Sequence, residues 1–286
     1  MKVVLFCGGY GMRMRDGVTN APKPMAMIGD RPLLWHVMRY YAHFGHTEFI
    51  LCMGYGAAHV KDYFLNYEET SSNDFVLRDG GRTVELITSD IAGWEITFVD
   101  TGLSSTIGER LLRVHKYLGE DEIFLANYAD VLTDAPLPEL VADLRDSEAV
   151  ALLLAVPPQS SFHVVAVDAD NKVRDVKPVQ TFPIRENGGY FVLRREIFDY
   201  LAEGEDLVDH AFGRLVSEER LIARCYDGFW ASADTVKERA QLEALFHGSR
   251  PWAVWDSSTR AQRGWTGPER RRGGRAGAAT SDIEMR

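Results

Sequence analysis

Two short segments near the N-terminus hold the residues best suited to chemistry. Gly8-Gly9-Tyr10-Gly11-Met12-Arg13 follows directly on the apolar run Val3-Val4-Leu5-Phe6, and Pro22-Lys23-Pro24-Met25 comes shortly after it. Glycines behind a strand let backbone N–H groups come close to phosphate oxygens, and open α/β sheets place ligands at that carboxyl edge. Prolines on both sides of Lys23 are expected to fix its backbone in an extended conformation, so that the ammonium is aimed back at the glycine loop with little entropy to lose. The pattern is not a dinucleotide fingerprint, because Met14 stands where the third glycine belongs, and no G-x-x-x-x-G-K-[ST] loop occurs anywhere.

Asp130 lies just past the apolar stretch Ile123–Asn127, which places its carboxylate at the same edge and suits it to bind magnesium. Magnesium is commonly held by one or two carboxylates plus substrate phosphates and water, so a second acid is wanted. The eight histidines form no H-E-x-x-H, and His36, His43 and His46 are read as helix-face and surface residues. Cys7, Cys52 and Cys225 make no C-x-x-C pair; each sits in a strand-like apolar stretch, which predicts buried free thiols and a reducing cytoplasm.

The elements that must position these groups alternate along the chain. A strand over 2–6 is followed by a helix from Pro32 to Phe44, a strand Phe49–Met53, a helix Ala57–Asn66, a strand Ile96–Val99, a helix Glu109–Leu118 and the strand Ile123–Asn127. Such alternation predicts an α/β fold with a mostly parallel, Rossmann-like twisted sheet flanked by helices. Residues 68–94 read as a β-hairpin excursion around Asp79-Gly80-Gly81. The second half is richer in strands (Ala151–Val156, Val164–Val167, Lys172–Val176, Tyr190–Leu193), with helices near 195–202, 207–219 and 234–247. One domain over 1–256 and a disordered, Arg- and Gly-rich tail over 257–286 are expected. The net charge of -10 argues against a nucleic-acid partner, no apolar run is long enough for a membrane span, and the N-terminus carries no secretory signal pattern.

The segments G-G-x-G…R and P-K-P-M resemble the sugar-phosphate nucleotidyltransferases, and the resemblance covers roughly residues 1–255. Within them the chain is most similar to the glucose-1-phosphate cytidylyltransferases, through Ile28–Met38, Val99-Asp100-Thr101-Gly102, Asn187–Leu193 and Gly228-Phe229-Trp230 followed by Asp234-Thr235. This resemblance implies a Mg2+-dependent transfer of a nucleotidyl group, most simply cytidylyl from CTP, to a sugar 1-phosphate such as glucose 1-phosphate, with release of pyrophosphate. It implies that Arg13 and Lys23 are catalytic, that Gly8, Gly9, Gly11, Met12, Ser105 and Arg110 bind the nucleotide, and that Lys177, Asn187 and Gly188 bind the sugar phosphate. It also implies Asp130 and Asp234 as metal ligands and a homo-oligomer. The alternatives are a helix-capping role for Asp234, a solvated strand end for Lys177 and a partly exposed first-turn position for Arg110.

The chain departs from the family where Met12 replaces a small hydroxyl residue, where G-D-G becomes Ala129-Asp130-Val131, where Val176 replaces an acid before Lys177, and where 207–212 lacks Trp-Glu-x-Glu-Pro. A sugar site without two of its carboxylates is expected to prefer a different hydroxyl pattern. Dependence on UTP or dTTP, or a non-catalytic nucleotide-sugar sensor, are the competing readings.

Overall fold

A computed structural model describes residues 1–9, 21–159 and 162–256; the expectations for Gly11, Met12, Arg13 and the tail lie outside these residues. The sheet has seven strands, numbered along the chain as β1 Val3–Phe6, β2 Glu48–Met53, β3 Glu95–Asp100, β4 Ile123–Asn127, β5 Ala151–Val156, β6 Glu186–Arg194 and β7 Leu221–Cys225. Their order across the sheet is β7-β5-β6-β4-β1-β2-β3. All neighbours are parallel except β6, which runs antiparallel to both β4 and β5.

The interior strand β1 is buried on both faces, as its unbroken apolar run requires. Val3 and Leu5 enter the core layer beneath helix α1 (Leu33–His43), while Val4 and Phe6 enter the opposite layer, which holds Leu111 and Val114 of helix α3 (Ile107–Val114). Helices α2 (Ala57–Leu65) and α4 (Leu137–Arg145) follow β2 and β4. The start of α3 is fixed by Thr106, whose side chain accepts from the Glu109 N–H while the Glu109 carboxylate accepts from the Thr106 N–H. A helix α5 (Gly213–Ser217) continues a π-helical turn over Leu207–Phe212, and 195–200 forms a 3₁₀ segment in place of an α-helix.

Two ribbons leave the sheet. Phe75–Arg78 pairs with Thr83–Leu86 around the expected Asp79-Gly80-Gly81 turn, and His163–Val167 pairs with Val173–Pro178. A third pair, Val131–Thr133 with Trp230–Ser232, sets Ser232 opposite Val131 and so brings the chain after β4 alongside the approach to helix α6 (Val236–Phe246). Among the described residues no helix is long and apolar enough to cross a membrane.

Two expectations are corrected here. Cys225 is exposed, because β7 is an edge strand, whereas Cys7 and Cys52 are buried. His36 is a core residue: its Nε2 meets the Ile28 carbonyl at 3.0 Å and its Nδ1 accepts from Trp252 Nε1 at 3.3 Å. A helical pattern cannot show that the C-terminal segment folds back over α1 and covers that face.

Burial pushes the His36 imidazole down to about 4, from an ordinary 6.5. The unfolded chain therefore takes up the proton first, and stability present above pH 6.5 is lost as the pH falls toward 4. Chemical denaturation between pH 7.5 and 4.5 should show an unfolding free energy lower by about 2–3 kcal/mol at the acid end from this group. That slope should flatten in His36→Gln; equal slopes in the two proteins would contradict the assignment.

Candidate active site

The carboxyl ends of β1, β2 and β3 meet at one point. Arg110, in the first half of α3 and only 3% exposed, donates to the Gly8 carbonyl at 2.8 Å, to Thr101 Oγ1 at 2.6 Å and to the Met53 carbonyl at 3.3 Å. One guanidinium thus ties together the carboxyl ends of all three strands, through the last residue of β2 and residues just past β1 and β3. The approach leaves no room for side chains: a Cβ on Gly8 would lie 2.2 Å from Arg110 Nη1, and one on Gly54 would lie 2.6 Å from the Gly8 carbonyl oxygen. Gly54 gave no signal in the sequence, because the contact that demands glycine comes from another strand.

Lys23 does not lie in an extended segment. It opens a single 3₁₀ turn, Lys23–Met25, after an extended Pro22, and its carbonyl accepts from the Ala26 N–H at 3.0 Å. Pro24 is tolerated because the first N–H groups of such a turn have no internal acceptor. From this turn the ammonium reaches Asp130 Oδ2 at 2.5 Å and also contacts Asp234 Oδ1. Burial pushes the Asp130 carboxyl above the usual carboxylate range against the pull of Lys23, and Asp234 adds to the rise. Burial opposes the Lys23 charge too, but the two carboxylates outweigh it and hold the ammonium above its ordinary value.

The helix-capping alternative for Asp234 is not what the structure shows. Thr235 caps α6 in a reciprocal arrangement with Glu238, and Glu238 also accepts from the Asp234 N–H at 2.8 Å, so the Asp234 side chain is left to the cluster. Two carboxylates that reach the same ammonium nitrogen face a common point. One ammonium against two carboxylates leaves a net charge of -1, so the donor set fits a divalent cation.

This cluster borders a cavity of about 380 Å³. Of the residues singled out in the sequence, Gly8, Gly9, Lys23, Ser105, Arg110 and Asp130 line it. Ser105 is held by donation to the Thr101 carbonyl and by Arg113 Nη1, which donates to its Oγ at 2.7 Å. Tyr128 and Asp206 also line the cavity and were not expected. Asp206 caps the 207–212 turn through the Val208 N–H, and an Asp ahead of a helical run could have been read as a cap.

Other residues are not brought to the cavity wall. Lys177 stands exposed on the second ribbon, paired with Asp175 at 2.6 Å. Asn187 donates to the Tyr128 hydroxyl at 3.0 Å and accepts from the Gly189 N–H at 2.9 Å, so it reaches the cavity only through Tyr128. The Gly188 carbonyl accepts from Trp230 Nε1 at 2.8 Å. Arg110 lines the cavity, where it can meet a ligand, but it is buried and so does not take the partly exposed first-turn position that was the alternative. Arg110→Lys, which keeps the charge but not the fork, should lower the unfolding free energy by about 2–3 kcal/mol; unchanged stability in denaturant titration would remove the tie.

Comparison with known proteins is consistent with this geometry. A protein from Bacillus subtilis (strain 168) named "Probable glucose-1-phosphate cytidylyltransferase" is 33% identical over 258 residues, covering 89% of this chain and 100% of its own. The glucose-1-phosphate cytidylyltransferase of Salmonella typhi is 32% identical over 262 residues, covering 90% and 100%. Among solved structures, a UDP-glucose pyrophosphorylase complexed with UDP-glucose superposes with a TM-score of 0.62 at 17% identity, over 86% of this chain and 98% of that one, a likeness of fold. The model of the nucleotidyl transferase family matches residues 2–235, and the chain belongs to that family.

Proposed function

We propose that the protein transfers a cytidylyl group from CTP to a sugar 1-phosphate, glucose 1-phosphate or a related hexose phosphate, releasing pyrophosphate and forming a nucleotide sugar. The observation that carries this reading is the convergence of Asp130 and Asp234 on Lys23, with Lys23 and Asp130 lining one cavity together with Gly8 and Gly9. The names of the relatives from Bacillus subtilis and Salmonella typhi support the choice of base and sugar.

The attacking group is a phosphate oxygen already ionised at neutral pH, so no general base is needed. Catalysis then rests on positioning and on charge placed to meet the transition state. Asp130 and Asp234 would hold Mg2+, which would supply positive charge to neutralise the phosphates and act as a Lewis acid. Lys23, drawn from the carboxylates toward the triphosphate, meets charge developing at the α-phosphate, and Arg13 of the glycine loop is assigned the same task. The backbone of Gly8 and Gly9, with Gly11 and Met12 after them in sequence, is assigned to cradle phosphates, and Ser105, which lines the cavity, is assigned to the nucleotide. Lys177 is assigned the attacking phosphate, which requires it to exchange Asp175 for substrate. A cytoplasmic location, favoured by the buried free thiols Cys7 and Cys52, and a homo-oligomeric state complete the proposal.

Purified protein with magnesium, each nucleoside triphosphate and a panel of sugar 1-phosphates should release pyrophosphate with CTP, and a chelator should stop it. Lys23→Ala should lose about a hundred- to a thousandfold in kcat, and Asp130→Asn should be inactive. Near-normal turnover in Lys23→Ala would sink the mechanism, and binding of nucleotide sugar without any turnover would establish the sensor.

A further inference from the structure

The Asp130 carboxylate hangs from a turn whose conformation its own residues do not favour. Ala129, directly before it, has φ of +63°, the left-handed region in which a Cβ crowds the following carbonyl. Ala129 is also fully buried, so its N–H must find an acceptor inside the protein. That acceptor is the side chain of Asn127, the last residue of β4, whose Oδ1 takes the Ala129 N–H at 2.7 Å.

We propose that Asn127 is a positioning residue for Asp130, acting through the strained turn at Ala129. The flanking residues are pinned independently. The Tyr128 N–H donates to the Gly189 carbonyl at 3.2 Å, Tyr190 Oη donates to the Val131 carbonyl at 2.9 Å, and the Ala233 N–H donates to the Asp130 carbonyl at 3.2 Å. None of these bonds sets the φ of Ala129. A left-handed alanine persists only where its surroundings over-determine it, and Asn127 supplies the bond made at that residue. Asn127 is itself fully buried and lies opposite Leu5 of β1 and Tyr190 of β6, so its Oδ1 is anchored to the middle of the sheet. The direction of the Asp130 side chain is thereby referred to the buried centre of the sheet. Without the bond, Ala129 is free to relax to negative φ, and that rotation swings the carboxylate away from the point it shares with Asp234.

The proposal rests on the transferase reading and is tested by kcat, by KM for the triphosphate and by rescue. Asn127→Ala should lower kcat about ten- to a hundredfold, with KM for CTP changed by less than about threefold. Asn127→Ser, whose hydroxyl can accept from the N–H two residues on, should retain most of the rate. The decisive variant is Asn127→Ala combined with Ala129→Gly: glycine takes positive φ without help, so the pair should recover about tenfold over Asn127→Ala. A role in bulk stability alone predicts instead a lower denaturation midpoint in Asn127→Ala with kcat per folded molecule unchanged, so kcat is compared where denaturation curves show each variant folded. If Asn127→Ala does not fold, the double variant carries the test, and it must fold and keep at least about a tenth of the wild-type kcat. A folded but inactive double variant, an unfolded one, or an Asn127→Ala protein with unchanged kcat overturns the positioning role. An inactive wild type sinks the reaction and the role together, whereas an active wild type indifferent to Asn127 sinks only the role.

Discussion

The close meeting of three parallel strand ends around one guanidinium is the constraint on which the site depends. Arg110 cannot bond the Gly8 carbonyl and Thr101 Oγ1 together unless β1, β2 and β3 stop in register, and they can do so only because Gly8 and Gly54 carry no side chains. The glycine loop thus has two tasks. Its second glycine, Gly9, is exposed and lines the cavity, while Gly8 both lines the cavity and packs against Arg110. The charge of Arg110 is desolvated, which burial disfavours, and three acceptors at the strand ends offset that cost.

Charge balance at the second half of the site follows the same logic. Two carboxylates close enough to share an ammonium repel each other strongly when they are taken out of water, and Lys23 is the group that lets them coexist. The largely buried Lys23–Asp130 pair adds little net stability over an apolar replacement, but losing one partner is costly because the other charge is left uncompensated, whereas the half-exposed Asp234 is screened by solvent. The cluster is therefore better understood as a store of negative potential held in place than as a contribution to folding. That arrangement fits the proposed reaction, in which a divalent cation and a polyphosphate would enter together and the phosphates would give Lys23 a new anion.

The parts of the fold that local pattern controls were legible in the sequence. The apolar run of β1 and the spacing in α1 fix those elements within a residue or two, and Asp130 could be placed because a residue just past a parallel strand can lie only at one edge. Asp234 could not be placed by that route. Its position depends on the pairing of Val131–Thr133 with Trp230–Ser232, two three-residue strands about a hundred positions apart, too short to show a period. Lys23 illustrates the opposite failure: the proline pair was visible, but prolines restrict a backbone to more than one conformation, and the contacts around the turn select the 3₁₀ form over the extended one. The burial of Arg110 and His36 and the exposure of Cys225 escaped the sequence for a common reason. Burial of a polar or soft side chain is decided by what folds over it, and neighbours in sequence carry no record of that.

The sequence separations within the site explain why it behaves as a property of the whole sheet. Lys23 lies 107 residues from Asp130 and 211 from Asp234, and Arg110 lies 102 from Gly8. No hairpin or βα unit contains two of the charged groups, so nothing short of the assembled sheet brings a cation and two carboxylates to one point. A reaction that needs no activated nucleophile demands placement above all, and placement is what long-range pairing supplies. The strain tolerated at Ala129 fits this account: a left-handed alanine costs about 1–2 kcal/mol, which a local turn could not sustain but a turn anchored on both sides to a seven-stranded sheet can. Where the chain is free of such anchoring, on the ribbon that carries Lys177, the corresponding side chain is found paired with a neighbour in exposed surroundings and not turned to the cavity.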